Sequence, residues 1–295
     1  MRQKIVWMTC LLWLIAVPSW ATDRGALFKV TGHGHTQYLF GTMHVGLPEF
    51  YPLEARIVDA VKGASTLALE IDPAEPQEQT AQAMVRQGMI VPGGAGYERM
   101  APARRAQLDV ALKAAGVEAE AANVLNPAMV AALISLSQYQ KLGYRPELSA
   151  DAWLAQLARR GKTRVVALET VDGQLGQFNK LTSAEQWHFL EESLDNLASG
   201  DELEEARGLV EAWAHADRAA LDVLVRQVEE DTSVSGKFMR ETLLDGRNGA
   251  LADKLAALLK REEKTVGAIG MLHLLGKRGV PALLQAKGYR VERVY

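Results

Sequence analysis

Six short apolar runs, spaced out by long stretches of helical periodicity, constrain the fold of this chain more than any other feature. Leu27 to Val30, Gln37 to Phe40, Thr66 to Leu69, Arg164 to Leu168, Thr265 to Ile269 and Tyr289 to Val294 each read as a strand. The segments between them are rich in Ala, Leu, Glu and Arg and carry helical spacing. Such alternation predicts an α/β protein whose helices cover a sheet, and it argues against a sandwich or a bundle. The first two strands are joined by Thr31-Gly32-His33-Gly34-His35-Thr36, whose glycines suit a hairpin turn.

Two long helical regions interrupt the strands. One runs from about Glu75 to Arg160, broken at Pro92-Gly93-Gly94 and punctuated by Pro102, Pro127 and Pro146 near helix starts. The other runs from Ser183 to Arg261 and opens on Thr182-Ser183-Ala184-Glu185, the pattern of a capping box. Strands at both ends and helices in the middle predict one domain over residues 22–295, a central mixed β-sheet with an inserted helical layer or cap.

At the N-terminus, Arg2 and Lys4 precede an apolar run from Ile5 to Val17, and Ser19-Trp20-Ala21 gives a small-x-small site for a signal peptidase. The run is short for a bilayer span, which needs roughly 20 apolar residues. Residues 1–21 are therefore expected to be a cleaved secretory signal, the alternative being an uncleaved anchor. The protein is expected to be exported, periplasmic or secreted, with no stable membrane span after cleavage. Its one cysteine, Cys10, falls within that signal, so a disulfide and a thiol nucleophile are both excluded from the mature chain. A formal net charge of −3 offers no electrostatic footprint for nucleic acid.

Four of the strands run into a single ionisable group. "YLFGTMH" ends on His44, "STLALE" on Glu70, "TRVVALE" on Glu169 and "TVGAIGMLH" on His273. Open α/β sheets bind ligands outside the carboxyl ends of their strands. A carboxylate directly after a buried strand is costly unless it is solvated, paired or metal-bound. Gly41 and Gly270 each stand three residues before a histidine, so a GxxH pattern follows a strand twice. Glycine there permits a sharp turn and lets backbone or ligand approach closely.

Two imidazoles with one or two carboxylates suit a divalent transition ion such as Zn²⁺, Mn²⁺, Fe²⁺ or Co²⁺. An ion of that kind acidifies water and polarises a carbonyl, and one glutamate could stay outside the coordination shell as general base. The same four residues could instead form a hydrogen-bonded acid/base cluster without a metal.

Other residues invite less. His33 and His35, in a Gly-rich turn, are expected to be solvated; His188 and His215, in helical stretches, to be packing or surface residues. Asp151 stands at or near a helix start, where the dipole explains a carboxylate. Gly93-Gly94-Ala95-Gly96 lacks the Lys and Ser/Thr of a phosphate loop, and no GxSxG elbow occurs.

The "YLFGTMHVG" strand, the "LALEID" strand, the "DAWLAQLARRGKTRVVALET" segment with Gln174 after it, the "LLDGRNGALADKL" helix and the closing "GMLHLLGKRGVPALLQAKGYRV" resemble the TraB/PrgY/GumN family, which includes the animal Tiki proteins. The resemblance spans nearly all of the mature chain. It implies a fold of the kind shared with erythromycin esterases and ChaN-like proteins, and through the Tiki branch a metal-dependent peptidase acting on a peptide or protein substrate. Carried over position by position, it assigns His44, His273, Glu70 and Glu169 to the metal site. It also places Arg247 and Asn248 of "GRN" nearby, with Gly41 and Gly270 against the substrate. Arg247 would neutralise a developing oxyanion or bind a substrate carboxylate. The alternative for Arg247 is an ion pair with Asp245 or a helix end. Members often carry "GAGHL" at the second motif; Met271 and Leu272 stand there in this chain and are expected to narrow the cleft.

A rival reading from another class is a binding protein that sequesters a peptide or haem in the same cleft, or serves exopolysaccharide production as an accessory. Fold-level likeness does not choose between them.

Overall fold

The computed structural model describes residues 22–295. Residues 1–21, the expected signal and Cys10 among them, lie outside the described residues. All six expected strands form, as β1 (Leu27–Gly32), β2 (His35–Thr42), β3 (Thr66–Leu69), β4 (Arg164–Ala167), β5 (Lys264–Gly270) and β6 (Arg290–Arg293). They make one sheet in the order β4-β3-β5-β2-β1-β6. The sheet is mixed as expected: β4, β3, β5 and β2 run parallel, while β1 is antiparallel to both β2 and β6.

The β1–β2 hairpin closes through His33 and Gly34, both at positive φ (56° and 82°), which is the twist a two-residue hairpin turn requires. His33 is exposed as expected. His35 is half-buried and its Nδ1 lies 2.8 Å from the Leu259 carbonyl, so it ties the hairpin to a helix instead of being solvated.

The helices are α1 (Ala55–Lys62), α2 (Gln77–Arg86), α3 (Pro102–Ala114), α4 (Ala119–Asn123), α5 (Pro127–Lys141), α6 (Ala150–Arg160) and α7 (Val171–Leu175). They continue as α8 (Ser183–Ser199), α9 (Asp201–Ala214), α10 (Arg218–Glu230), α11 (Val234–Lys237), α12 (Gly246–Arg261) and α13 (Val280–Ala286). Side chains alternate across a strand, so residues 37 and 39 face opposite to residue 38. Gln37 donates to the Leu255 carbonyl of α12, and Leu39 meets Leu255 over Gly267, whereas Tyr38 lies beside Arg56, Asp59 and Ala60 of α1. Helices α1 and α12 therefore cover opposite faces.

The main core takes in both faces of the sheet, from Leu39, Phe40, Leu67 and Leu69 to Ile57, Val61, Leu255 and Leu259. The helical insertion has a core of its own: Tyr97, Leu108, Leu112, Val130, Ile134, Leu190 and Leu194 join α3, α5 and α8. The capping box at the start of α8 is present, Thr182 and Glu185 exchanging side-chain and backbone bonds. A π-helical stretch, Phe238–Asp245, leads directly into α12.

Candidate functional site

The carboxyl ends of β2, β5, β3 and β4 lie side by side, and the four ionisable groups expected from the sequence hang off that one edge. Strand β5 sits between β2 and β3, so the chain crosses over it in passing from one to the other. This is the switch point at which open α/β sheets form a crevice. The register pairs Gly41 with Ile269 and Thr42 with Gly270, which sets the two GxxH motifs next to each other. Leu69 pairs with Ala268 on one side and with Ala167 on the other, bringing Glu70 and Glu169 alongside.

Gly270 is where the groups converge. A methyl group built there would lie 3.1 Å from Glu70 Oε1, 3.2 Å from His44 Nε2 and 3.6 Å from His273 Cδ2. Its own N–H donates to Glu70 Oε1 at 2.6 Å. The missing side chain thus leaves room for two imidazoles and a carboxylate over one strand end. Gly41 has a different role from the one expected: Met271 fills the space beside it, 3.1 to 3.2 Å from a hypothetical Cβ. Met271 is itself buried against the core, whereas Leu272, the other residue expected to narrow the cleft, is partly exposed.

Arg247 binds the two carboxylates together. Its Nε donates to Glu169 Oε1 at 3.0 Å, and Nη2 donates both to Glu169 Oε2 and to Glu70 Oε2. Its Nη1 donates to the Leu243 carbonyl at 3.1 Å within the π-helical stretch. Arg247 therefore pairs with the strand-end glutamates; Asp245 is paired with Arg278 instead, at 3.1 Å. Gln174, on α7, bridges the same carboxylates, its amide 3.0 Å from Glu70 Oε2 and 3.1 Å from Glu169 Oε2.

Each histidine is anchored through Nδ1. His44 Nδ1 lies 2.9 Å from Asp151 Oδ2, and Asp151 Oδ1 accepts from the Thr42 hydroxyl at 2.8 Å. His273 Nδ1 lies 2.6 Å from Asn248 Oδ1, and the Asn248 amide donates to the Arg278 carbonyl at 2.9 Å. That second bond fixes the amide orientation, so Asn248 accepts from His273 Nδ1–H and leaves Nε2 bare. Asn248 is buried, and its amide oxygen is turned to His273.

The charge states follow. The Asp151 carboxylate beside it pushes His44 up to about 9. Burial pushes His273 down to about 4, so at neutral pH it is uncharged. Burial favours the neutral form of Glu70, yet His273, His44, Arg247 and the Gly270 N–H outweigh it and hold the carboxyl at about 2. With His273 neutral, the charges that do this at pH 7 are those of His44 and Arg247. The His44 side chain is 64% accessible while Glu70 is 6% accessible, so the imidazole is the group a solute meets first.

Asp151 is the residue that sequence reasoning undervalued. Ser149 caps α6, its hydroxyl accepting from the Ala152 N–H, and the Asp151 carboxylate is left free to turn to His44. Nothing local distinguishes such a carboxylate from an ordinary first-turn acid. His188 and His215 are on the surface as expected, beside Glu192 and the Glu211 carbonyl.

Among the described residues no three His, Cys, Asp or Glu side chains are already drawn together as a metal-holding group. The chemistry of the donors nevertheless fits an ion: His273 Nε2 faces Glu70 Oε1 at 3.8 Å with a lone pair on each and no hydrogen between them. That gap is shorter than two ligand bonds of about 2.1 Å each. A cation is what opposed lone pairs accommodate, and His44 Nε2 lies over the same Gly270.

Comparison with known proteins agrees with the motif arrangement. The chain is 23% identical to the uncharacterized protein YbaP of Shigella flexneri over 273 residues, covering 90% of this chain and 96% of that one. It is 23% identical over 272 residues, with the same coverage, to the uncharacterized protein YbaP of Escherichia coli (strain K12). No solved structure matches, so the expected likeness to ChaN-like folds stands on the sequence resemblance alone. The model of the TraB/PrgY/gumN family matches residues 26–293, from β1 through β6, and the chain belongs to that family.

Proposed function

We propose that this protein is an exported, metal-dependent hydrolase that cuts a peptide or related bond in a peptide or protein substrate. The observation that carries the reading is the meeting of His44 Nε2, Glu70 Oε1 and His273 over Gly270. His44, His273 and Glu70 would hold the ion, with Glu169 beside them. Bound there, a divalent transition ion supplies an acidified water and polarises a carbonyl.

The rest of the chemistry belongs to the chain. Glu169 is the more accessible of the two carboxylates, at 17% against 6%, and is the group suited to take a proton from the attacking water. Arg247 has its fork on both carboxylates; swung toward substrate, it would meet a developing oxyanion. Gln174 spaces the two carboxylates and holds Glu169 toward the crevice. Export rests on Arg2, Lys4, the Ile5–Val17 run and Ser19-Trp20-Ala21. No helix of the described residues is long and apolar enough to cross a membrane.

The test uses the chain recovered from the exported fraction, where the N-terminus is expected at Thr22. Elemental analysis before and after chelation should give one divalent ion per chain, and His44→Ala and His273→Ala should weaken its affinity by at least about 100-fold. A peptide library should be cleaved by the loaded protein and not by the chelated one. A parent without stoichiometric metal, alongside variants that bind added Zn²⁺ or Mn²⁺ as well as the parent does, would sink the reading. Retained metal with no cleavage of any peptide would favour the sequestering protein.

A further inference from the structure

The strands and helix α6 bring together a set of groups that the motifs alone do not connect. Thr42 closes β2, His44 follows it by two residues, and Asp151 stands in the first turn of α6 more than a hundred residues later. The Thr42 hydroxyl is a donor, and with Asp151 Oδ1 as its acceptor the carboxylate has one oxygen fixed. The other oxygen, Oδ2, then points at His44 Nδ1 from 2.9 Å. Asp151 is 8% exposed and Thr42 2% exposed, so the bond between them is shielded from water.

We infer that Asp151, itself oriented by Thr42, is the positioning residue of His44: it keeps the proton on Nδ1 and turns the Nε2 lone pair to the crevice over Gly270. The inference deepens the hydrolase reading and rests on it for its consequence, though the tautomer itself does not depend on any ion. A carboxylate is an acceptor on both oxygens, so it admits only an N–H on the ring nitrogen facing it. A ring held with Nε2–H toward the crevice has no lone pair there to give. The arrangement matches how protein carboxylates orient imidazoles that act through their far nitrogen, where loss of the carboxylate costs 10- to 100-fold in affinity. His273 has the same geometry with an amide in place of the acid, which makes His44 the imidazole with the stronger anchor.

Two readouts separate this inference from the function it serves. The first is ¹⁵N NMR of the histidines in the metal-free protein, at a pH where His44 is neutral. The parent should show His44 as the Nδ1–H tautomer, and Asp151→Ala should convert a large share to Nε2–H; Thr42→Val should do so in part. A parent ring protonated on Nε2, or a ring unchanged in Asp151→Ala, overturns the inference whatever the metal result. The second is a Zn²⁺ affinity cycle over parent, Asp151→Ala, His44→Ala and the double variant. Asp151→Ala should weaken binding by about 10- to 100-fold in the parent and by little once His44 is gone. An equal loss in both backgrounds means that Asp151 acts elsewhere, and the inference fails. Asp151→Leu, which keeps a similar side-chain volume and offers no acceptor to Nδ1–H, repeats both measurements if the alanine variant does not fold. A parent that binds no ion overturns the hydrolase reading alone, because the tautomer result still stands or falls by itself.

Discussion

The residue on which most of the site's electrostatics turns is Arg247. It is the cation between Glu70 and Glu169, and its side chain and theirs are all less than a fifth exposed. Removing one partner of a buried ion pair leaves the other charge uncompensated, a loss of roughly 3–5 kcal/mol. Arg247→Ala is therefore expected to destabilise the fold by about 3 kcal/mol, read from urea unfolding. Arg247→Lys should recover only part of that, because a single ammonium cannot replace a fork that reaches three carboxylate oxygens. An alanine variant as stable as the parent would mean that the glutamates are solvated in solution. The "GRN" motif makes Arg247 visible in the sequence. Its partners are not, because Glu70 lies 177 residues away along the chain, whereas Asp245 is the acid a local reading would choose.

Among the elements, the end of β5 is the one that decides whether three groups can meet. Gly270 has φ −48° and ψ 134°, a conformation any residue can adopt, so its glycine is required by space and not by backbone strain. Gly270→Ala is expected to keep a near-parental unfolding midpoint while lowering ion affinity by about tenfold or more, since the new methyl crowds Glu70 Oε1 and His44 Nε2. Unaltered affinity would show that the groups do not converge there. Gly41, in the corresponding place on β2, has another duty: Met271 packs on it, and its carbonyl accepts from the Trp213 indole at 2.8 Å. The two GxxH motifs thus look alike and do different work. The helix start at Thr182 and the hairpin at Gly34 were legible because a cap and a tight turn are set by neighbouring residues. The π-helical stretch before Arg247 gives no such signal, for its wider turn depends on what packs around it.

At the scale of the whole molecule, burying His273 and Glu70 with their pKa values depressed ties stability to pH. In the folded protein His273 takes its proton at about 4 rather than 6.5, and Glu70 at about 2 rather than 4.5. The unfolded chain therefore binds more protons than the folded one as pH falls from 6.5 to 4 at the histidine, and from 4.5 to 2 at the glutamate. Both terms lower stability on acidification. His44 works in the opposite sense: its stabilisation is complete below 6.5 and is lost as pH rises through about 9. Denaturant unfolding of the metal-free protein is expected to show greatest stability near pH 6.5, with the acid side between 6.5 and 4 flattened in His273→Gln. An unchanged acid limb in that variant would mean that His273 is not buried neutral. The sequence by itself determined the six strands, the mixed α/β class and the membership of His44, Glu70, Glu169 and His273 in one set. Strand identity and strand-end position follow from periodicity and turn chemistry, which are local. Only the tertiary structure decided that Arg247 clamps the glutamates, that Asn248 and Asp151 hold the imidazoles, and that Met271 turns inward to Gly41. Those are contacts between segments far apart in sequence, selected by sheet order and packing, and no neighbouring residue records them.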